Sequence, residues 1–372
     1  MTALTKSNAA SAEYSIDAAF LSSNLLSWYQ KNERPLPWRT LWKKHSNPWH
    51  IWVSEIMLQQ TVIKAVMPVY ERFLRQYPSF ESLAKSSTED IRLAVRGLGY
   101  YRRFDSLHKA CQYLSTQKKG LPRCHADWLK LPGVGDYTAA AIASITLDEP
   151  TGVVDGNVER VMCRLLDIRL EPNLPTLKKK FKRIMNELCA IKDPGQLNQA
   201  VMELGQTLCT PLNPMCGKCP LNSKCKSFAA CSQLLAPMPK SKKPMNDIEL
   251  KLDILQSGKK IVLFQRPDDA KFLKNTWGFR TSLNHHNKWR PDGTSKVVIP
   301  SSKNAQIGTV SHSITTHKIT AKISHHETKD IKPCDGIRLL KIDEVEKNLV
   351  SNLDRKAWTL LLKSIKQQAV ID

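Results

Sequence analysis

The sequence predicts a multidomain protein in which an all-α domain over residues 15–231, ending in a cysteine loop, precedes an α+β domain over 248–372. Three observations predict it. A chain of 372 residues is too long for one ordinary core. From residue 15 to residue 208, apolar residues recur at helical spacing in runs interrupted by Pro and Gly. Beyond Gln233-Leu-Leu-Ala-Pro-Met-Pro-Lys-Ser-Lys-Lys-Pro-Met-Asn-Asp247, an extended basic linker placed at 232–247, the pattern changes to short strand-like runs and a closing helix.

Lys and Arg total 56 against 34 Asp and Glu, a net charge of +22. An excess that large points to a polyanion, and with no 18-residue apolar run in the chain, nucleic acid is favoured over a membrane. Residues 1–14 are polar and Ala/Ser-rich without an apolar core, which reads as a loose tail, not a secretion signal, and implies an intracellular location. Of the ten cysteines, four fall within 17 residues, so a reducing compartment and a metal site fit better than a disulfide framework.

Taken in order, Ile16, Phe20, Leu21, Leu25 and Trp28 predict a first amphipathic helix over 15–31. Arg34-Pro-Leu-Pro-Trp-Arg39 stops it, and its prolines predict an extended loop carrying Leu36, Trp38 and Arg39. Trp38 is there either a core plug or a wall for a planar base. Asn47-Pro48 caps and starts a helix over 49–60, where Ile51, Glu55, Leu58 and Val62 share a face. A carboxyl held among apolar groups has its neutral form favoured, which suits a general acid, although most helix glutamates are simply solvated. Gln59-Gln60-Thr61 follows, with two amides and a hydroxyl able to bond base edges or fill a gap in a stack. Helices are expected over 66–75, 88–96 and 104–119, and between the last two Gly97-Leu-Gly-Tyr-Tyr-Arg-Arg103 sets two aromatics beside two arginines. That composition suits a kinked or opened duplex, or else core tyrosines capped by solvated arginines.

Leu131-Pro-Gly-Val-Gly135 is a Pro-containing turn before an Ala-rich helix, so the N–H groups at its start can grip a phosphate; the plain alternative is a helix–helix turn. Asp155 lies twenty residues beyond Gly135, between Val153-Val154 and an amphipathic run with Val158, Val161 and Leu165. A carboxylate at a helix start is stabilised by the dipole and the orphan amides, as any cap would be. A basic amphipathic helix over 176–190 and a helix over 196–208 lead to Cys209, Cys216, Cys219 and Cys225, spaced C-x6-C-x2-C-x5-C. Four thiolates in one Pro-stiffened loop can wrap a single metal centre, an iron–sulfur cluster or a tetrahedral zinc, and Lys218, Lys224 and Lys226 stud the loop as a phosphate-facing surface requires. Cys231 lies outside the spacing and reads as a free thiol.

With these residues in view, positions 15–230 resemble the helix-hairpin-helix DNA glycosylase superfamily, and within it the MutY-type adenine DNA glycosylases. The resemblance rests on Leu36-Pro-Trp-Arg39, Ser54-Glu-Ile-Met-Leu-Gln-Gln-Thr61, Gly97-Leu-Gly-Tyr-Tyr101, Leu131-Pro-Gly-Val-Gly135, Val154-Asp-Gly-Asn-Val158 and the four cysteines, in order and in spacing. It implies two all-helical subdomains around a DNA cleft, a monomer, a 4Fe-4S cluster on Cys209, Cys216, Cys219 and Cys225, and a partner duplex with adenine opposite 8-oxoguanine or guanine. It also implies roles: Glu55 as the acid that protonates adenine N7, Asp155 as the carboxylate beside the sugar, Tyr137 supporting Asp155, and Asn157 ordering the site. Leu36, Trp38 and Arg39 would line the adenine pocket, Gln60 and Tyr100 would wedge into the duplex, and Thr61 and Leu98 would touch the 8-oxoguanine side. Gly133 and Gly135 would hold a backbone phosphate. Where strand-cleaving relatives of the endonuclease III type carry a nucleophilic lysine, this chain has Tyr137, so a monofunctional enzyme is implied, with Lys130 a source of weak adventitious cleavage. Three departures stand out: extra residues from Thr40 to Ser46, Trp49 where Tyr is common, and Asp136, a negative charge in the hairpin.

In the second domain, strands are expected over 250–255 and 260–265 around Ser257-Gly258, with Trp277-Gly-Phe279 beyond them. Further strands are expected near 313–324 and a final helix near 343–366. This pattern resembles, more weakly, the Nudix-like C-terminal domain of MutY proteins, which implies 8-oxoguanine recognition through Thr316 and His317. Residues 280–310 contain no glutamate, so a magnesium-dependent pyrophosphatase is not expected. Two other functions compete: a thymine- or pyrimidine-removing glycosylase on the same fold, and a non-catalytic DNA-binding module.

Overall fold

The structure, a computed structural model, describes residues 16–118, 120–239, 244–270, 273–283, 305–314, 316–328 and 331–368. The expected tail, part of the linker and the Gly/Pro/Asn/His-rich loop near 284–304 lie outside the described residues. The chain divides into two compact units, one of residues 1–85 and 102–241, the other of 86–101 and 242–372.

The first unit is helical. Asp17 caps α1 (Ala18–Asn32) by accepting from Phe20 N at 3.0 Å, which sets the first helix where its apolar spacing placed it. The next segment differs from expectation. Pro37 is the first residue of a helix, α2 (Pro37–His45), with extended Leu36 at its N-cap, so Trp38 and Arg39 are helical and not on an extended loop. Proline breaks a helix in its interior but fits its first turn, where no N–H partner is needed. Asn47 caps α3 (Pro48–Leu58), whose residues 51–57 are all buried. Then come α4 (Ile63–Gln76), the short α5 (Phe80–Ala84), α7 (Arg102–Thr116), the short α8 (His125–Trp128), α9 (Asp136–Leu147), α10 (Gly156–Leu166), α11 (Pro175–Cys189) and α12 (Pro194–Thr207), while α6 (Thr88–Ala94) belongs to the second unit.

Two cores hold the helices of the first unit. Leu21, Leu25, Met162, Phe181, Leu188 and Val201 build one. The other is aromatic: Trp49, Trp52 and Trp128 are fully buried, with Trp52 edge-on to Trp49 at 5.7 Å and to Trp128 at 5.0 Å. The central α9 carries Ala139–Ala143, all fully buried, and these small side chains let α3 and α12 pack closely on it. A short α13 (Lys226–Ala229) closes the cysteine loop.

The second unit is α+β. Its described strands form a mixed sheet, with β1 (Asn246–Ser257) and β2 (Lys260–Gln265) the expected hairpin, in register Leu255 to Val262, turning at Gly258 with φ +60°. β1 also pairs in parallel with β6 (His317–Thr328) along its whole length, and antiparallel β5 (Ala305–Ile314) lies beyond β6. Short β3 (Trp277–Gly278) and β4 (Arg280–Leu283) pair with β2 and β1, and β7 (Ile337–Lys341) pairs with β2. The single closing helix expected near 343–366 is two, α14 (Ile342–Asn348) and α15 (Asn352–Gln368). Leu349 is extended at the junction and is buried with Val350, so apolar residues that suit a continuous helix are spent in the core at a break.

Candidate active site

A cavity of about 500 Å³ opens in the first unit, and Leu36, Trp38, Arg39, Glu55, Tyr137 and Asp155 all line it. These residues come from four separate stretches of sequence. Asn157 and Thr61 reach the same cavity.

Glu55 sits on the helix that is buried all round, and it is 6% exposed. Burial raises its pKa from 4.5 to about 7; the Tyr137 hydroxyl opposes that rise, the Asp155 charge adds to it, and Arg39 opposes it. Its Oε2 is buried with no hydrogen-bond partner among the described residues, so this oxygen faces an unfilled polar requirement. Tyr137 directs its hydroxyl to Met202 Sδ at 3.2 Å. Burial, then the charges of Glu55 and Asp155, push the phenol well above its usual range, so it serves as a neutral donor.

Asp155 is the N-cap of α10, and three N–H donors converge on it: Asn157 N at 3.0 Å, Val158 N at 2.8 Å and Asn157 Nδ2 at 2.7 Å. Such donors stabilise the carboxylate form. The segment leading in is fixed from behind, where Asn186 accepts from Gly152 N at 2.7 Å and buried Asn198 accepts from Val153 N at 2.9 Å. A side chain at Gly152 would meet Met185 at 2.3 Å, so this approach requires glycine. On the far side Arg160 donates to Asn157 Oδ1 at 3.0 Å, to the Gly205 carbonyl at 2.7 Å and to the Cys209 carbonyl at 2.8 Å. The carboxylate is thereby linked to the cysteine loop through two side chains.

Trp38 is buried, edge-on to Tyr70 at 5.6 Å, and it also lines the cavity. Arg39 is 9% exposed and committed to the wall, donating to Glu203 at 2.8 Å and Gln199 at 3.0 Å, with its guanidinium 5.2 Å from the Tyr29 ring centroid. Glu203 has no exposure and also takes the Arg34 guanidinium. Gln199, Met202 and Gln206, which the sequence does not single out, line the cavity from α12. Their spacing of three and four places them on one face, the only local signal for them.

The hairpin lies at the start of α9. Gly133 has φ +77°, and a Cβ there would stand 2.4 Å from Ser106 Cβ, so glycine is required twice over; Gly135 meets nothing within 4 Å. Asp136 pairs with Lys182 at 2.9 Å, and His125 Nε2 lies 3.2 Å from its other oxygen. Exposed Lys130 pairs with Asp127 at 2.7 Å and is absent from the cavity lining. Gln60 is exposed with φ +55°. In the second unit Tyr100 is 48% exposed at the end of the Gly97–Gly99 turn while Leu98 is buried; Thr316 is a half-buried turn residue and His317 the half-buried first residue of β6. Of the two arginines expected to be solvated beside the tyrosines, Arg102 is exposed but Arg103 is buried.

Cys209, Cys216, Cys219 and Cys225 gather in one loop, and each of the last three feels the charge of Cys209. Buried Arg164 clamps the loop, donating to the Thr210 carbonyl at 2.7 Å, the Pro211 carbonyl at 2.9 Å and Cys209 Sγ at 3.4 Å. Burial raises Cys216 and Cys225 and pushes Cys219 up to about 12, so four thiolates here need a cationic centre to balance them, which the donor set fits. Among the described residues no three His, Cys, Asp or Glu side chains stand as a group able to hold a single metal ion.

Residues 53–190 match the HhH-GPD superfamily base excision DNA repair protein family. The chain is 42% identical over 219 residues to an adenine DNA glycosylase of Mus musculus, covering 57% of this chain and 42% of that protein. It is 35% identical over 224 residues to an adenine DNA glycosylase of Buchnera aphidicola subsp. Schizaphis graminum (strain Sg), covering 60% and 63%. The match thus spans about half the length of these curated relatives. Among solved structures, a thermostable thymine-DNA glycosylase aligns with a TM-score of 0.50 at 25% identity, over 57% of this chain and 97% of that one.

Proposed function

We propose that this chain, which resembles the adenine DNA glycosylases over its helical unit, hydrolyses the N-glycosidic bond of adenine opposite 8-oxoguanine or guanine in duplex DNA. The observation that carries the reading is one cavity lined by two carboxyls in opposite settings. Glu55 is buried with a pKa of about 7, and Asp155 is anchored by three N–H donors. Such a pair divides acid and carboxylate work.

An adenine flipped from the stack enters between Trp38 and the α12 face. Glu55 gives its proton to N7. The bond from C1′ to N9 then breaks with its electron pair passing to the base, which leaves neutral. Asp155 stabilises the cationic sugar, water adds to C1′, and the proton that water loses returns to the Glu55 carboxylate. Asn157 and Arg160 hold Asp155 in place, while the neutral Tyr137 hydroxyl tunes Glu55. A phenol forms no imine with the opened sugar, so the strand is left intact.

Gln60 and Tyr100 are assigned to the gap left in the duplex, Thr61 and Leu98 to the opposite base, Gly133 and Gly135 to a backbone phosphate, and Thr316 and His317 to 8-oxoguanine from the Nudix-like unit. The net charge of +22 supports a polyanionic partner. Cys209, Cys216, Cys219 and Cys225 would hold a 4Fe-4S cluster, which would fix the basic loop from Lys218 to Lys226 against the helical core. The thymine-DNA glycosylase likeness keeps thymine release as a second reading. A panel of duplexes with A:8-oxoguanine, A:G, T:G and A:T pairs decides between them: strand breaks at adenine are expected, only after alkali, in the first two. Release of thymine without adenine sinks the proposal.

A further inference from the structure

α3 ends at Leu58, where only long backbone bonds close the last turn, Gln59 N to the Ile56 carbonyl at 3.4 Å and Thr61 N to the Leu58 carbonyl at 3.3 Å. Just beyond it Gln60 adopts φ +55°, a left-handed conformation that costs a non-glycine residue and persists only where its surroundings enforce it. The enforcing group is Arg103, the buried arginine from the start of α7. Its Nη1 donates to the Met57 carbonyl at 3.0 Å and to the Gln59 carbonyl, and its Nη2 donates to Thr61 Oγ1 at 2.8 Å. One planar guanidinium therefore grips both residues that flank Gln60 and the end of the helix that bears Glu55. A positive group at a helix C-terminus is also favoured by the dipole. Gln59 Nε2 reaches Thr138 Oγ1 at 3.4 Å, which ties the same loop to α9 beside Tyr137. Leu58, Thr61 and Val62 line the cavity, so the gripped loop forms its rim, and Gln60 projects from that rim.

We infer that Arg103 is a positioning residue that holds the Gln60 loop in one strained shape at the cavity rim, ready to enter the space a nucleotide vacates. The inference rests on the cavity being the pocket for an extruded base. Arg103 touches neither base nor phosphate in this role and acts only through Gln60. An arginine beside tyrosines on a turn looks like a DNA contact; its burial reassigns it.

The test joins hydrogen exchange on the full chain without DNA to single-turnover base release from an A:8-oxoguanine duplex. Arg103→Gln should speed exchange of the 59–62 amides by about 10-fold or more, because charge-assisted bonds are lost, while α9 and α10 amides keep parent rates. Base release should slow by about 10- to 100-fold with the pH profile unchanged, since Glu55 is untouched. Gln60→Gly removes the side chain yet keeps the left-handed backbone, and in that background Arg103→Gln should cost less than about 3-fold more. Arg103→Lys, which keeps the charge but loses the fork, should fall between parent and Gln. Losses that multiply in the double variant, or unaltered exchange at 59–62, overturn the inference. If Arg103→Gln also loosens α9 and α10, the same comparisons made with Arg103→Lys decide. A parent protein that releases no base from any duplex refutes the adenine reading, and the exchange measurement still decides this one.

Discussion

Replacing Glu55 by Gln should make the protein more stable at neutral pH while abolishing base release. The carboxyl rises from 4.5 to about 7 on folding, chiefly through burial, and that shift corresponds to about 3 kcal/mol between the two protonation states. The sign follows from proton binding. Between pH 4.5 and about 7 the folded protein retains a proton that the unfolded chain has released, so parent stability falls as pH rises through that window and levels off above it. The amide of the Glu55→Gln variant cannot ionise and escapes the loss. The stability gap between variant and parent should therefore be small near pH 4.5 and reach about 3 kcal/mol by pH 8, a difference of about 6–12 °C in midpoint for a unit of this size. Thermal or urea unfolding of the full chain across that pH range measures it. Parent base release should also fall as pH rises through about 7, because the proton-bearing form is the active one. A gap that does not change with pH, or a rate profile whose alkaline fall lies near pH 4.5 instead of about 7, would refute the assignment of Glu55 as a buried acid.

Tyr137→Phe removes a hydroxyl that holds Glu55 down, so the alkaline fall in the rate profile should move to higher pH; a profile that moves lower contradicts the electrostatics. Arg160→Gln strips a partner from Asn157, and base release should drop by about 10- to 100-fold. Iron content should stay unchanged, because the bond from Arg160 to the loop goes to the Cys209 carbonyl and not to sulfur. Metal analysis of anaerobically prepared protein should find about four irons per chain with broad visible absorption, and about one zinc per chain instead would overturn the cluster assignment.

What the sequence made legible was local. Glu55 could be read because its neighbours at helical spacing are apolar, and Asp155 because a carboxylate before an amphipathic run is a cap whatever else it does. Helix α2 could not, since Pro35 and Pro37 read alike as breakers, and only the chain's path makes Pro37 a first residue. The same limit hides the parallel pairing of β1 with β6, which joins Asn246 to His317 across a long separation with no turn to announce it. Gln199 and Gln206 look solvated on paper, because nothing in their own helix reveals the cavity they face.

Four arginines of the first unit share a property that bears on the mechanism. Arg39, Arg103 and Arg164 are buried and Arg160 is half-buried, each donating to backbone or carboxylate groups far from it in sequence. In a chain of net charge +22 the default expectation for arginine is a phosphate, and these four are committed to acceptors of the protein instead. Taking a fixed charge out of water is costly unless it is well bonded, so the bonds these four make favour one arrangement of their partners over others. That is what a site with two unlike carboxyls requires. Glu55 must stay dry and Asp155 must stay amide-bound through the entry of a charged, hydrated duplex. Flexible solvated arginines would hold neither the end of the helix that bears Glu55 nor the Asn157 that bonds Asp155, and the division of labour between them would be lost.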